Sequence, residues 1–216
     1  MKPSVIEAID LEVYDPETRR SVSRPVSFSL SLGDLCVITG PNGVGKSTLL
    51  HGMADFLSTS NPASRVKGIV RTRKEVLGDK SFKVRLHPQF SAPMFALPLS
   101  LGDVLDWYRS PEDSMPELIR DLDLLRPWDS ASGGEKQRVL LAGIFSDGKG
   151  KHDKVPFEIL LLDEPGNHLD SRNREELYSQ TRQWLSENPN RCVVVVTHDP
   201  EVWSPSVLVK LEAAEK

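Results

Sequence analysis

The stretch Gly40-Pro41-Asn42-Gly43-Val44-Gly45-Lys46-Ser47 fits the pattern G-x-x-x-x-G-K-[ST] in full. An apolar run at 35–39 precedes it and predicts a buried strand, and the residues after it continue as a helix. Its glycines allow a tight turn with inward N–H groups, at a helix N-terminus that favours phosphate. The pattern predicts a nucleoside triphosphate site, where Lys46 reaches the β- and γ-phosphates and Ser47 ligates Mg²⁺.

A second glycine-bearing motif lies at 131–138, which reads Ala-Ser-Gly-Gly-Glu-Lys-Gln-Arg. Ser132 is a good N-cap and Glu135 completes a capping box, so Gly133 and Gly134 present another helix N-terminus to an anion. The alternative is an ordinary capped helix start. It explains the motif poorly, because two glycines add a backbone-entropy cost that such a start does not need.

Two further apolar runs end in polar residues. Residues 157–162 predict a strand buried on both faces, followed at once by Asp163 and Glu164. Asp163 is suited to hold Mg²⁺ through water, and Glu164 to accept a proton from an attacking water. Residues 193–196 predict a second buried strand shortly before His198. Alone, that histidine would be read as a solvated turn residue.

These motifs, in this order, resemble the ATP-binding cassette (ABC) ATPase family. Residues 131–138 are similar to its LSGGQ signature, with Ala131 where leucine is usual. The resemblance covers nearly the whole chain. It implies an α/β fold, namely a P-loop NTPase core of ABC type with an antiparallel β subdomain and a short inserted α-helical subdomain.

The resemblance also implies roles for single residues. His198 corresponds to the switch histidine at the γ-phosphate, and Gln89 to the glutamine that contacts Mg²⁺ and the lytic water. Tyr14 stands where an aromatic usually stacks on adenine, with core packing as the competing interpretation. The implied catalytic set is Lys46, Gln89, Glu164 and His198, and the implied Mg²⁺ set is Ser47, Gln89 and Asp163. The implied ATP contacts are Tyr14, Gly40, Pro41, Asn42, Gly43, Val44, Gly45, Lys46, Ser47 and Thr48.

In this family two cassettes pair head to tail around ATP. The resemblance therefore implies a homodimer closed by nucleotide, in which the signature residues act on the partner's ATP. Asp170 corresponds to the D-loop aspartate near the dimer axis. The family usually has Thr or Ser at Gly166 and arginine at Gly143. The implied signature contacts are Ser132, Gly133, Gly134 and Glu135.

The implied activity is hydrolysis of ATP to ADP and phosphate. We expect the chain to power a membrane transporter through a separate transmembrane permease chain. The segment 97–101, Leu-Pro-Leu-Ser-Leu, is similar to metal-import ATPases. The alternative is a soluble ABC ATPase acting on the ribosome or DNA, which the sequence Asn-His-Leu-Asp at 167–170 favours. A scaffold without turnover would lack the base, and Glu164 is present.

Composition agrees with one cassette of 216 residues. A formal net charge of −4 and a pI near 5.8 argue against a nucleic-acid surface, so no direct nucleic-acid partner is expected. Cys36 and Cys192 fall in predicted buried strands and are typical of reduced core thiols. No apolar run approaches the ~20 residues that cross a bilayer. We therefore expect a cytoplasmic location, peripheral on the inner membrane face through the permease.

The chain is expected to form a single ABC ATPase domain over 1–216. Residues 1–88 and 133–216 are predicted to form the catalytic core lobe, and about 89–132 the helical lobe. Ser100 with Asp103, and Ser114 with Glu117, predict capping-box helix starts in that lobe. The polar, glycine-bearing segment 146–156 predicts a surface loop.

Overall fold

The computed structural model describes residues 3–58, 65–72, 82–89, 98–109, 115–146 and 157–215. Leu97, within the 97–101 segment, and residues 147–156 of the predicted loop lie outside the described residues. The strands are β1 (Ser4–Val13), β2 (Val26–Ser31), β3 (Leu35–Thr39), β4 (Val66–Thr72), β5 (Phe82–His87), β6 (Phe157–Asp163), β7 (Arg191–Val196) and β8 (Val207–Lys210). The helices are α1 (Lys46–Ser58), α2 (Leu101–Asp106), α3 (Gly133–Phe145) and α4 (Ser171–Glu187). Single 3-10 turns lie at Glu117–Ile119, Trp128–Ser130 and Glu201–Trp203.

The chain divides into two compact units. The first contains Met1–Pro88, Val155–Glu164 and Asn188–Lys216, and the second contains Gln89–Lys154 and Pro165–Glu187. Our predicted core lobe included all of 133–216, whereas helices α3 and α4 group with the second unit. The reason is packing, since α3 contacts both α2 and the turn at Glu117–Ile119, and α4 contacts α3 and the same turn.

A parallel five-stranded sheet of order β5-β6-β7-β3-β8 forms the centre of the first unit. Every residue of β6 and β7 is buried, which explains their nearly continuous apolar runs. Asp163 at the end of β6 pairs in register with Val196 at the end of β7. The carboxyl ends of these strands, and the polar residues that follow them, therefore meet at one edge of the sheet.

A second, antiparallel sheet of order β2-β1-β4 belongs to the same unit. Strand β1 has a register shift around Asp10, whose φ is +49°. Opposite it, Gly68 has a φ of +115°, and a Cβ there would lie 2.5 Å from the Asp10 carbonyl oxygen. The bulge in β1 therefore requires glycine at position 68 of the neighbouring strand. Burial alternates along β2, where Val26, Phe28 and Leu30 are more buried than Ser27 and Ser29.

The hydrophobic core of the first unit joins the two sheets and α1. Leu49, Leu50 and Met53 of α1 are completely buried in it. Cys36 and Cys192 are buried there as free thiols, as their strand positions predicted. Burial raises the pKa of both thiols, which keeps them protonated and unreactive.

Capping boxes start two helices of the second unit. Ser100 with Asp103 begins α2, and Ser132 with Glu135 begins α3, so the boxes predicted at these two starts are confirmed. The predicted capping box at Ser114 and Glu117 includes Ser114, which lies outside the described residues. Among the described residues, Glu117 begins a 3-10 turn that follows Pro116. That single turn already buries Leu118 and Ile119, so a longer helix is not required to bury them.

Among the described residues, no helix combines the length and the apolar character needed to cross a membrane.

Candidate nucleotide site

The glycine-rich loop at 40–47 has a backbone that only glycine adopts easily at three positions. Gly40, Gly43 and Gly45 have φ values of +155°, +77° and +96°. A Cβ at position 45 would also lie 2.9 Å from Val13 Cγ1. Helix α1 begins at Lys46, which is 7% exposed. The Lys46 ammonium donates to the carbonyl oxygens of Gly40 at 3.0 Å and Pro41 at 3.2 Å, so the loop itself holds this cation.

Asp163 links the end of β6 to the start of α1. It is 1% exposed, and its Oδ1 accepts a hydrogen bond from Ser47 Oγ at 2.9 Å. Its Oδ2 has no hydrogen-bond partner among the described residues. His51 Nε2 lies 3.6 Å from that oxygen. The Asp163 carboxylate raises the pKa of His51 above its ordinary value.

Sequence reasoning missed His51. It follows Ser47 by four residues on α1, and such residues share one helix face. A signal was therefore present: a titratable side chain one turn beyond a predicted metal-ligating hydroxyl.

Glu164 has an unusual backbone and a polar partner. Its φ of +46° is rare outside glycine, and its N–H donates to the Val196 carbonyl at 3.0 Å. Its Oε1 lies 3.1 Å from His198 Nε2. Burial raises the pKa of Glu164, and the charges of His198 and Lys46 offset part of that rise. A carboxylate with a raised pKa is a better proton acceptor.

His198 lies beside two predicted site residues. Its Nε2 is 3.5 Å from the Lys46 ammonium nitrogen and 3.1 Å from Glu164 Oε1. We name Lys46, Ser47, Asp163, Glu164 and His198 the phosphate-site cluster. The structure brings these five residues together from three separate parts of the sequence.

Two other predicted residues lie outside that cluster. Tyr14 follows Val13, the residue that packs on Gly45, and the Lys67 ammonium lies 4.7 Å from the Tyr14 ring centroid. Gln89 is exposed and belongs to the second unit.

The signature motif lies at the start of α3, within the second unit. Ser132 Oγ accepts from the Glu135 N–H at 3.2 Å, and Glu135 Oε2 accepts from the Ser132 N–H at 2.7 Å. Arg126 Nη1 donates to Glu135 Oε1 at 2.8 Å. The Ser132 N–H and the Arg126 charge lower the pKa of Glu135, so its carboxylate stays ionised. Arg126 was not predicted, because its pairing depends on the turn that follows it.

The D-loop packs against the same helix start. Gln137 is completely buried and its Nε2 donates to the Pro165 carbonyl at 3.1 Å. A Cβ on Gly134 would lie 2.7 Å from the His168 carbonyl oxygen, so glycine allows this close approach. Asp170 Oδ1 accepts from the Asn173 N–H at 2.8 Å, which caps α4. In this chain Asp170 therefore has a structural role at the start of α4.

Comparison with known families identifies the chain. A family model described as "ABC transporter" matches residues 23–167. This range begins shortly before β2, includes both glycine motifs and ends shortly after β6. The chain belongs to the ABC transporter family. It is accordingly an ATP-binding chain and an ABC-type ATPase, as the motifs predicted.

Several relatives in this family align over most of the chain. The zinc import ATP-binding protein ZnuC of Acinetobacter baylyi is 32% identical over 205 residues, which is 92% of this chain and 71% of the relative. The hemin import ATP-binding protein HmuV of Vibrio vulnificus strain CMCP6 is 28% identical over 211 residues, 92% of this chain and 77% of the relative. Among solved structures, a Pyrococcus furiosus chain described as an ABC transporter ATP-binding protein has a TM-score of 0.70 at 22% identity. That match covers 98% of this chain and all of the other, and it shows the ABC ATPase fold.

Proposed function

We propose that this chain is the ATP-hydrolysing subunit of a membrane transporter, acting with Mg²⁺ as a nucleotide-closed homodimer. The observation that carries the proposal is the phosphate-site cluster. It combines a cation held in a glycine cradle, a hydroxyl bonded to a buried carboxylate, and a second carboxylate paired with a histidine.

The oxygen ligands suit Mg²⁺. Ser47 offers a hydroxyl and Asp163 a carboxylate, and hard divalent cations prefer such oxygens. The Asp163 oxygen without a hydrogen-bond partner is consistent with a carboxylate that serves a cation. Mg²⁺, when bound, neutralises charge on the β- and γ-phosphates. Gln89 is proposed as a further Mg²⁺ ligand, as the family resemblance implies.

Each remaining residue of the cluster has a role in the proposed chemistry. Lys46 binds the γ-phosphate. Glu164 accepts a proton from the attacking water at its carboxylate. His198 orients that carboxylate through the 3.1 Å contact and reaches the γ-phosphate from the same side as Lys46. The strained φ of Glu164 is consistent with a side chain held for function.

We propose that the α3 N-terminus binds the γ-phosphate of a partner's ATP, with Ser132, Gly133 and Gly134 at the contact. A free carboxylate at this end would repel phosphate. The Glu135 carboxylate, however, is tied to the Ser132 N–H and to Arg126. Its charge is therefore neutralised locally, which leaves the helix end available to an anion.

The proposed cargo is a metal ion taken up through a permease chain. Support comes from the 32% identity to the zinc import ATP-binding protein of Acinetobacter baylyi. Other relatives are named for hemin import, energy-coupling factor and lipoprotein-releasing systems. The choice of a metal ion as cargo therefore rests on the zinc import relative. The chain would sit on the inner face of the membrane through that permease.

The transport proposal is tested by capture from membranes. Tagged Glu164→Gln chain is expressed in the native host, solubilised in mild detergent and purified in Mg-ATP. We expect a stoichiometric partner with several apolar spans of about 20 residues each. Sedimentation of the tagged chain with ribosomes, and no such partner in the membrane fraction, would support the ribosome-associated alternative and contradict transport.

The dimer proposal is tested with purified protein. Light scattering of the Glu164→Gln chain should show a shift from monomer to dimer when Mg-ATP is added. Adding Ser132→Arg should prevent the shift while nucleotide binding is retained. Ser186→Arg introduces the same side chain at an exposed position near the end of α4 and is the matched control. Dimerisation that survives Ser132→Arg unchanged would refute the assignment of the α3 N-terminus.

A further inference from the structure

A negative charge lies in the first turn of α3, beside the glycines proposed to contact a partner's ATP. Glu135 is in this turn, directly after Gly133 and Gly134, and its side chain is 21% exposed. Its Oε2 accepts a hydrogen bond from the Ser132 N–H at 2.7 Å, which holds the carboxylate at the helix end. A carboxylate in this place repels a polyphosphate unless its charge is compensated.

Arg126 supplies the compensating charge. Its Nη1 donates to Glu135 Oε1 at 2.8 Å, and its Nη2 donates to the Ser130 carbonyl oxygen at 3.1 Å. Both oxygens of the Glu135 carboxylate therefore accept hydrogen bonds, one from the backbone and one from a guanidinium group. The same guanidinium group also holds the short segment that leads into α3.

The backbone around Arg126 is fixed without the help of its side chain. The Arg126 carbonyl oxygen accepts from the Leu101 N–H at 3.0 Å, and the Trp128 N–H donates to the Leu99 carbonyl oxygen at 2.7 Å. These hydrogen bonds attach the segment to the start of α2, on both sides of Pro127. A substitution of the Arg126 side chain therefore leaves this backbone frame in place, and it changes the charge beside α3.

A second arginine of the same unit offers a matched comparison. Arg120 Nη1 lies 2.7 Å from Glu117 Oε2, and the two side chains are 69% and 41% exposed. This ion pair lies at the 3-10 turn that begins at Glu117 and contains no residue of the signature motif. Removing the Arg120 charge therefore leaves the Glu135 ion pair intact.

We propose that Arg126 is a positioning residue for ATP hydrolysis, because its neutralisation of Glu135 allows the α3 N-terminus to approach the γ-phosphate of a partner's ATP. The inference rests on the proposed dimer, in which α3 contacts that phosphate. Arg126 acts through Glu135 and needs no contact with the nucleotide. Loss of Arg126 leaves a net negative charge beside Gly133 and Gly134, and loss of the Glu135 charge as well restores neutrality.

The test compares the dimer dissociation constants of four chains in saturating Mg-ATP, measured by sedimentation. All four carry Glu164→Gln, and three of them add Arg126→Gln, Arg126→Gln with Glu135→Gln, or Arg120→Gln. Arg126→Gln should raise the dissociation constant at least about 5-fold. Arg120→Gln should change it by less than about 2-fold. Adding Glu135→Gln to Arg126→Gln should return it to within about 3-fold of the parent, because glutamine also completes a capping box.

Ionic strength supplies a second measurement that a purely structural role would leave unchanged. The ratio between the Arg126→Gln and parent dissociation constants should shrink between about 0.05 M and about 0.5 M salt, because salt screens exposed charges. Circular dichroism checks that the variants keep the fold.

Recovery of the dimer by Glu135→Gln supports the inference. A combined variant that dimerises as weakly as Arg126→Gln would overturn it, because Arg126 would then act through packing. Equal dissociation constants for Arg126→Gln and the parent would overturn it as well. A parent that stays monomeric, or one whose dimer survives Ser132→Arg, would instead overturn the proposed dimer, and the role of Arg126 with it.

Discussion

Replacing Glu158 by glutamine should destabilise the first unit more than any exposed charge change. Glu158 lies on β6 and is 4% exposed. Its carboxylate accepts from Arg85 Nη2 on β5 at 2.8 Å and from Arg191 Nε on β7 at 2.9 Å. These guanidinium groups are themselves buried, at 9% and 4% exposure. Glutamine keeps the shape of the side chain but removes the negative charge that both buried guanidinium groups contact.

The expected cost follows from this burial. Removing one partner of a buried ion pair costs about 3–5 kcal/mol. The matched control is Glu212→Gln, because Glu212 pairs with Arg24 at 3.3 Å while both side chains are more than half exposed. An exposed pair contributes about 0–1 kcal/mol. The two variants remove the same charge, so the difference between them measures burial.

Urea unfolding measures both variants. With a denaturant slope of about 3 kcal/mol/M, the Glu158→Gln midpoint should fall by about 1–1.7 M and the Glu212→Gln midpoint by less than about 0.3 M. Equal midpoint shifts for the two variants would refute the argument from burial.

Wild type and Glu158→Gln should also differ in how their free energy of unfolding depends on pH. Burial alone would raise the pKa of Glu158, but the hydrogen bonds and charges of Arg85 and Arg191 outweigh it and hold the pKa below the ordinary 4.5. A lowered folded-state pKa adds stability that is present above the unfolded value and lost as pH falls through the folded value. The gap between wild type and Glu158→Gln should therefore be full at neutral pH and shrink in acid below 4.5. A gap that widens in acid would contradict this.

Two further substitutions test packing and ligand binding. Gly143→Ala places a Cβ 2.8 Å from two ring atoms of Tyr108, so it should cost about 1–3 kcal/mol, and Tyr108→Ala in the same chain should remove most of that cost. Additive losses in the double variant would disprove the contact. Lys46→Ala should abolish thermal stabilisation by Mg-ATP, which at about 100 times Kd adds about 2.7 kcal/mol to wild type. A variant stabilised as much as wild type would remove Lys46 from the phosphate site.

The parts of the fold that depend on local sequence were predictable. The buried strands β3, β6 and β7 follow from apolar runs, and the capped starts at Ser100 and Ser132 follow from residues three positions apart. The 3-10 turn at Glu117–Ile119 was not predicted, because so short an element has no periodic pattern of its own.

The remaining features depend on strand register and on contacts between distant residues. Glu158 meets Arg191 because β6 and β7 pair in one register, which a single sequence does not specify. The close contact between Gly143 and Tyr108 is likewise not specified by the local sequence. His51 was missed for a similar reason. Its contact with Asp163 joins two residues that are 112 positions apart in the sequence.

Single-turnover ATP hydrolysis by wild type and Glu164→Gln, with nucleotide affinity measured on the same samples, tests the role of Glu164 most directly. Glutamine keeps the side-chain shape beside His198 but removes the proton acceptor. If Glu164 is the base, Mg-ATP affinity is retained while the hydrolysis rate falls by roughly 10²–10⁴. A Glu164→Gln chain that hydrolyses ATP close to the wild-type rate would contradict the assignment of Glu164 as the base.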